Sequence, residues 1–430
     1  MNQSTGSPPW AERRLRVMRS ELCRVVEPGD LMGWAAVTAL GVERTHQLAL
    51  GGEEPSPGEQ EAAARQAAEA GLRRTAGLRD ALKRWRTRAA QADGARDLAA
   101  LEDFGGGLLI PEDAAWPQQL NDLQAAAPLG LYFRCRGSGR STHPQQVYAA
   151  AADRLPRPGR CIAVVGAREM SDYGGQVAAE LAEQLAAREV AVLSGGAYGV
   201  DAAAHRAALA AGTSGFASSV AVLAGGADRF YPAGNEPLLR SIADHGLLLT
   251  EMAPGSAPTR HRFLQRNRLI AALADAVVVV EARWRSGALS TAHHALELGR
   301  PVGAVPGSVY SASSAGCHRL LQQTPAQLVT DAAEVMQMVA AAALEQDPLP
   351  LPESSAQRHR SDPDPLEGLG EAERRIYDAL PARRLTTAGR LSQVAGLAMP
   401  QVLSGLSRLQ RRGLAAETNG QWGRARPPAP

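Results

Sequence analysis

The chain has 430 residues and a formal net charge of +2; a length of this order suggests two or three domains, and so small a charge gives no case for nucleic-acid binding from composition alone, although a local basic patch can still hold phosphates. Hydrophobic residues make up 45% and aromatic residues only 4%, so an ordinary globular core is expected, built from Leu, Val, Ala and Ile. Cys23, Cys135, Cys161 and Cys317 have no C-x-x-C spacing, the N-terminus has no apolar signal core, and no run reaches the ~18 apolar residues of a membrane span, which argues against a zinc site, a disulfide framework and a membrane protein and leaves a cytoplasmic one as the expectation.

In chain order, residues 10–100 read as helices: RLRVMRSELCRVV, LMGWAAVTAL and a charged stretch around LRRTAGLRDALKRWRTRAA, which holds the chain's single lysine, Lys83. The segment GGEEPSPGEQ between them reads as a loop. Residues 101–159 read as a connector, with LLIPEDAAWPQQLNDL, a strand-like LGLYFRCRG and a Ser/His/Pro/Gln-rich loop. From 160 to about 338 the texture changes. Six short apolar runs, CIAVVG (161–166), EVAVLSG (189–195), SVAVLAG (219–225), GLLLTE (246–251), AVVVVEA (276–282) and PVGAVPG (301–307), alternate with helical patterns. Runs that are continuous rather than alternating are what strands buried on both faces of a parallel sheet require. The β-α-β alternation predicts a Rossmann-like, doubly wound, mostly parallel α/β sheet. Residues 339–366 read as a proline-rich flexible linker. Residues 367–425 then carry three helical segments and a strand pair around Asn419-Gly420, the outline of a C-terminal winged-helix domain. Arg408, Arg411 and Arg412 on its third helix fit DNA contact or a solvated face equally.

Three glycine-containing turns fall at strand ends, where an open α/β sheet places its ligands. They are VVGAREMSDYGG, LSGGAYGVDAAAH and EARWRSGALSTA. Glycine allows close backbone approach to an anion, and the following helix directs N–H groups at it. A nucleotide cofactor, a catalytic substrate and a nucleic-acid phosphate all suit such turns. GAREMSDYG is not G-x-G-x-x-G, and GGAYGVD has no GK[ST], so neither a dinucleotide fingerprint nor a P-loop is present. Arginine is the second signal: Arg168 after the first strand, Arg260, Arg262, Arg266 and Arg268 opening one helix, and Arg283 and Arg285 after the fifth strand. A guanidinium forks onto phosphate oxygens, or pairs with surface carboxylates. Asp201 and His205 stand one helical turn apart, as acid–base partners would; the plainer reading is that Asp201 fixes the turn and His205 packs beneath it.

VVGAREMSDYG, LSGGAYGVDAAAH, YPAGN, RFLQRNRLIA, VVVVEARWRSGALSTAHHALELGRPVGAVPG and SSAGCHRLL occur in this order, and together they closely resemble the DNA-processing protein DprA (Smf) family. The resemblance implies a Rossmann-like domain that binds single-stranded DNA without catalysis, cofactor or metal. It also implies protection of incoming strands in natural transformation, help in loading the recombinase RecA, and a homodimer. By motif matching, the DNA-binding positions are Gly166, Arg168, Ser194, Gly195, Gly196, Tyr198, Gly199, Arg266, Asn267, Arg268, Ser286 and Gly287. The implied organisation is a helical N-terminal domain over 1–100, a connector over 101–159, the core over 160–338, a linker over 339–366 and the winged helix over 367–425.

The chain departs from the family pattern at several positions. Tyr198 stands where a basic residue is usual, which suggests base stacking in place of a phosphate contact. Gly196 replaces a usual Leu, and His318 an expected Asn. Two rivals share the fold class or its parts. One is a nucleotide-processing phosphoribohydrolase resembling the lonely-guy family, which needs P-G-G-x-G-T and a nearby Glu; here the turn reads RSGALSTAHHALE, with Glu297 a turn too late. The other is a winged-helix regulator with a nucleotide-sensing core.

Overall fold

The computed structural model describes residues 9–71, 77–135, 144–212 and 216–346, together with most positions between 369 and 425. The chain divides into two compact units, Met1–Asp347 and Pro348–Pro430. The first unit begins with helices α1 (Pro9–Val25), α2 (Leu31–Leu50), α3 (Pro57–Glu69), α4 (Leu78–Arg86) and α5 (Gly94–Glu102). Their shared core is aliphatic apart from Trp85: Leu22, Val25, Met32, Leu48, Ala63, Leu78 and Leu82 are all buried. Gly41 (φ +80°) interrupts α2 and splits it into two runs. GGEEPSPGEQ is a loop only as far as residue 56. Ser56 and Glu59 form a reciprocal capping box with Pro57 in the first turn, so the segment's second half starts α3.

Strands β1 (Gly106–Leu109), β2 (Leu131–Arg134), β3 (Cys161–Val165), β4 (Ala191–Ser194), β5 (Ser219–Leu223), β6 (Leu247–Thr250), β7 (Ala276–Val279), β8 (Val302–Ala304) and β9 (Gln327–Leu328) form a nine-stranded sheet among the described residues, ordered β1-β2-β6-β5-β4-β3-β7-β8-β9. The six expected runs are β3 to β8 and pair in parallel. β2 joins β6 antiparallel and β1 joins β2 antiparallel, so the sheet is mixed at that edge. The residues of β3 show why the runs are continuous. Cys161, Ala163 and Val165 enter one core, Ile162 and Val164 the other. Each buried Val or Leu of this kind contributes roughly 1.5–3 kcal/mol relative to exposure. One face is covered by α10 (Arg260–Leu273), α11 (Gly287–Glu297) and α12 (Ala315–Gln323), the other by α7 (Asp172–Ala186), α8 (Val200–Ala211) and α13 (Ala332–Gln346). Helix α9 (Glu236–His245) packs on β5 and β6.

Part of the expected loop between residues 138 and 159 is instead helix α6, Pro144–Arg154. Its YAAAA run has high helix propensity, and Ala151 is fully buried. Residues 136–143 lie outside the described residues. All four cysteines are free and buried, no His/Cys/Asp/Glu group among the described residues has the makings of a metal site, and none of the described helices is long and apolar enough to cross a membrane.

In the second unit, α14 (Ala388–Ala395) and α15 (Met399–Arg411) pack on a sheet of β10 (Thr386–Thr387), β11 (Ala415–Thr418) and β12 (Gln421–Arg424) in the order β10-β12-β11. Ile376, Leu391, Val402, Leu406, Leu409 and Trp422 form its core. β11 and β12 pair antiparallel with Thr418 opposite Gln421, and Gly420 has φ +75°; Asn419 of the expected turn lies outside the described residues. The linker expected over 339–366 begins later: residues 339–346 are the end of α13, whose alanine-rich run continues the helix, and 347–366 lie outside the described residues. The first expected helical segment, 371–380, is described at only half of its positions.

Candidate nucleic-acid interface

Strand order reverses about β3, which lies between β4 and β7. The turns after these three strands therefore meet at one place on the sheet edge, and a groove of about 850 Å³ opens there. The first half of α10 forms its other wall, with Thr259, Arg260, Phe263, Leu264, Arg266 and Asn267.

The first turn is held from below. Glu281, 2% exposed, accepts from the Ser171 backbone N–H (2.9 Å) and from the hydroxyls of Ser171 (2.6 Å) and Ser313 (3.0 Å). Ser171 in turn caps α7 by accepting from the Gly174 N–H at 3.1 Å. The second turn is fixed by Asp201. Its Oδ2 accepts from the N–H groups of Gly195 (3.1 Å) and Ala197 (3.3 Å). Gly196 and Gly199 adopt φ of +67° and +77°, which side chains resist. The two turns also interlock: the Val200 N–H donates to the Ala167 carbonyl at 3.1 Å, and a Cβ on Gly199 would lie 2.1 Å from that same oxygen. The third turn opens α11. Ser286 accepts from the Ala288 N–H at 3.3 Å, and the Asn267 amide donates to the Gly287 carbonyl at 3.2 Å.

Arg266 forms the floor. It is buried, its Nη1 donates to the Val222 carbonyl, its Nε has no partner, and the guanidinium packs against the Gly195 backbone, leaving no room for a Cβ there. Burial pushes its pKa down to about 10 and Arg168 adds to this, while Asp201 opposes it, so it stays charged at neutral pH. Burial raises the Asp201 carboxyl, opposed by Arg266 and by the two backbone donors. Arg168 is exposed and lies 5.0 Å from the Phe263 ring centroid; Arg266 lies 5.9 Å from it on the same ring. The groove is lined by Arg168, Arg260, Arg266, Arg283 and Arg285 against Glu169 and Asp201, and Glu169 is already paired with Arg283 at 3.2 Å. Five cations against two carboxylates make it a site for anions.

Gly166, Arg168, Arg266, Asn267, Ser286 and Gly287 therefore line one groove. The remaining expected positions do other work. The Ser194 hydroxyl is buried and donates to the Val164 carbonyl at 2.6 Å. Gly195, Gly196 and Gly199 shape the turn from behind the lining. Tyr198 faces the 233–235 turn, where its hydroxyl accepts from the Gly234 N–H at 3.2 Å, so the base-stacking role expected for it has no support in the groove geometry. Arg268 points away: it donates to the carbonyls of Ala126 and Gln265, both at 2.9 Å, and pairs with partly buried Glu251 at 2.8 Å. His205 is fully buried, with Nδ1 2.8 Å from the Ser219 hydroxyl, and burial holds its pKa down at about 3. It is neutral and out of reach of the groove. Phe263 and Tyr231, 5.9 Å apart, also line the groove. Both sit inside quoted motifs, but nothing in their spacing marked them.

The edge and groove define a Rossmann-like α/β protein with an arginine-lined anion site at its topological switch point. A profile described as DNA recombination-mediator protein A matches residues 107–340. The chain is 47% identical over 329 residues to the "Putative DNA processing protein DprA" of Mycobacterium tuberculosis H37Rv, covering 76% of this chain and 79% of that one. It is 42% identical over 175 residues to the DNA processing protein DprA of Streptococcus pneumoniae R6, covering 41% and 60%. The X-ray structure of DprA from Streptococcus pneumoniae superposes with a TM-score of 0.52 at 27% identity, over 77% of this chain and 98% of that one. The chain belongs to the DNA recombination-mediator protein A (DprA/Smf) family.

Proposed function

We propose that the protein binds single-stranded DNA in the arginine-lined groove and does no chemistry on it, acting in transformation or recombination by protecting strands and passing them to RecA, as a cytoplasmic homodimer. One observation carries the DNA-binding part. The groove gathers five arginines and three glycine-containing turns, while the acids and the histidine that could serve as acid or base are already used. Asp201 and Glu281 hold turns, His205 is buried and neutral, and Glu297 lies on the exposed face of α11 beside His294. Gly166, Arg168, Arg266, Asn267, Ser286 and Gly287 are assigned to the strand itself. Ser194, Gly195, Gly196, Tyr198 and Gly199 are assigned to the turn that shapes the site, and Arg268 to the scaffold. Affinity then rests on phosphate and is independent of sequence. A groove of this size takes a few unpaired nucleotides and not a duplex. The N-terminal helices (1–100), the connector (101–159) and the core (160–338) serve that one site in this reading, and the 367–425 unit is a winged helix.

The test is fluorescence anisotropy with labelled single-stranded and duplex oligonucleotides over a salt series. Single-strand binding that weakens with salt by a slope of about −0.7 per neutralised phosphate, and that Arg168→Ala weakens, is the expected result. Arg168 is preferred to Arg266 for this test because it is exposed, so its removal spares the fold. Absent single-strand binding, or hydrolysis of nucleoside monophosphates by the pure protein, would overturn the reading.

A further inference from the structure

The groove uses Arg283 and Arg285 but not the residue between them. Trp284 is 57% exposed, whereas Trp85 and Trp116 are buried. An indole in water forgoes the large burial gain that aromatic side chains normally supply. Its ring is nonetheless held. The Arg319 guanidinium lies 4.7 Å from the ring centroid, a cation–π distance, and the Arg319 Nε is fixed by the Gln323 Oε1 at 2.7 Å on α12. The loop after β8 is fastened alongside: the Ala282 N–H donates to the Ser313 carbonyl at 2.8 Å, and the Gly316 N–H to the Ala282 carbonyl at 2.7 Å. That loop carries Tyr310, 96% exposed. Beside the groove there is thus an exposed ring, flanked in sequence by two groove arginines and steadied by a third.

We infer that Trp284 is a stacking platform for an unpaired base just outside the groove, carrying the strand from the groove toward α12. The inference rests on the single-strand reading of the groove. Continuity argues for this occupant: a polynucleotide whose phosphates reach Arg283 and Arg285 presents its next base beside the ring between them. Charge argues the same way: arginines precede and follow the ring in sequence and Arg319 lies against it, which favours a polyanion. A single strand supplies both phosphates for the arginines and a π-face for the indole. Every base has such a face, so the platform is tolerant of sequence.

The experiment uses the full chain and a fluorescein-labelled oligonucleotide about 12 nucleotides long, with a single abasic site walked along it. Wild type, Trp284→Ala, Trp284→Phe and Arg168→Ala are compared by anisotropy. Trp284→Ala is expected to weaken binding about fivefold or more, and Trp284→Phe to recover most of the loss. One abasic position should weaken the wild type by a similar factor and leave Trp284→Ala unaffected. Unchanged affinity in Trp284→Ala, or the same abasic profile in both proteins, overturns the platform. If Arg168→Ala loses affinity and Trp284→Ala does not, the platform alone falls. If the wild type binds no single strand, the groove reading falls with it.

Discussion

Four arginines within nine residues of α10 go to different places, and their fates separate ligand binding from scaffold. Arg260 is exposed on the groove wall, Arg262 pairs with Glu27 (2.7 Å), Arg266 forms the groove floor and Arg268 pairs with Glu251. Sequence spacing cannot distinguish them, because the deciding partners lie more than 200 residues away for Arg262 and across the sheet edge for Arg266. Asp201 and His205 were more legible: a short acid directly after a glycine turn, with a histidine one turn on, has few structural uses other than the two observed. Arg268→Ala leaves the partly buried Glu251 carboxylate without its guanidinium, and breaking a buried pair costs up to about 3–5 kcal/mol. A marked fall in melting temperature is therefore expected, while Arg168→Ala melts as wild type. A melting temperature for Arg268→Ala equal to wild type, together with lost DNA affinity, would move Arg268 from scaffold to ligand.

At the scale of elements, the parallel strands were readable because both faces of each are buried, and a run such as AVVV leaves little else to build. β1 and β9 were not. GGLL is short and glycine-led, and Gln327–Leu328 has two exposed residues with no pattern to detect. α6 was hidden behind a polar stretch whose helical half becomes meaningful only once Ala151 has a core to enter. The tie between α10 and the helical region was equally invisible. Burial alone would raise the Glu27 carboxyl, but the hydrogen bond and charge of Arg262, with Arg88 and His261, hold it below its ordinary value of 4.5. A carboxylate lowered on folding contributes stability in full above that ordinary value and loses it as pH falls through the lower folded one. Glu27→Gln should therefore melt lower than wild type at neutral pH, and its melting temperature should fall less steeply on acidification toward about pH 3. Superimposable curves from calorimetry would show that the tie is idle.

At the scale of the molecule, all groove residues lie in the Met1–Asp347 unit, which contains the sheet and the helical region with their cores. Cys23, Leu98 and Leu101 from the helical region enter one cluster with Leu108 and Tyr132 from the sheet, so the two parts of this unit are packed as one. A chain of residues 1–347 is expected to bind single-stranded DNA with the affinity and salt slope of the full chain. A shallower slope on truncation would mean that the second unit contributes phosphate contacts of its own. Arg408 on α15 is paired with Glu373, which removes one of the three arginines first considered for such contacts.

The interlock of the first two turns also bears on time. Gly199 lies against the Ala167 carbonyl and Val200 donates to it, so neither turn can open without displacing the other. On the proposed reading, the groove is already formed when a strand arrives. Encounter then needs no slow rearrangement, and its rate follows charge and ionic strength. How long a strand remains is decided by contacts broken on leaving, and residence time is the quantity that changes at Arg168 or Trp284 should move.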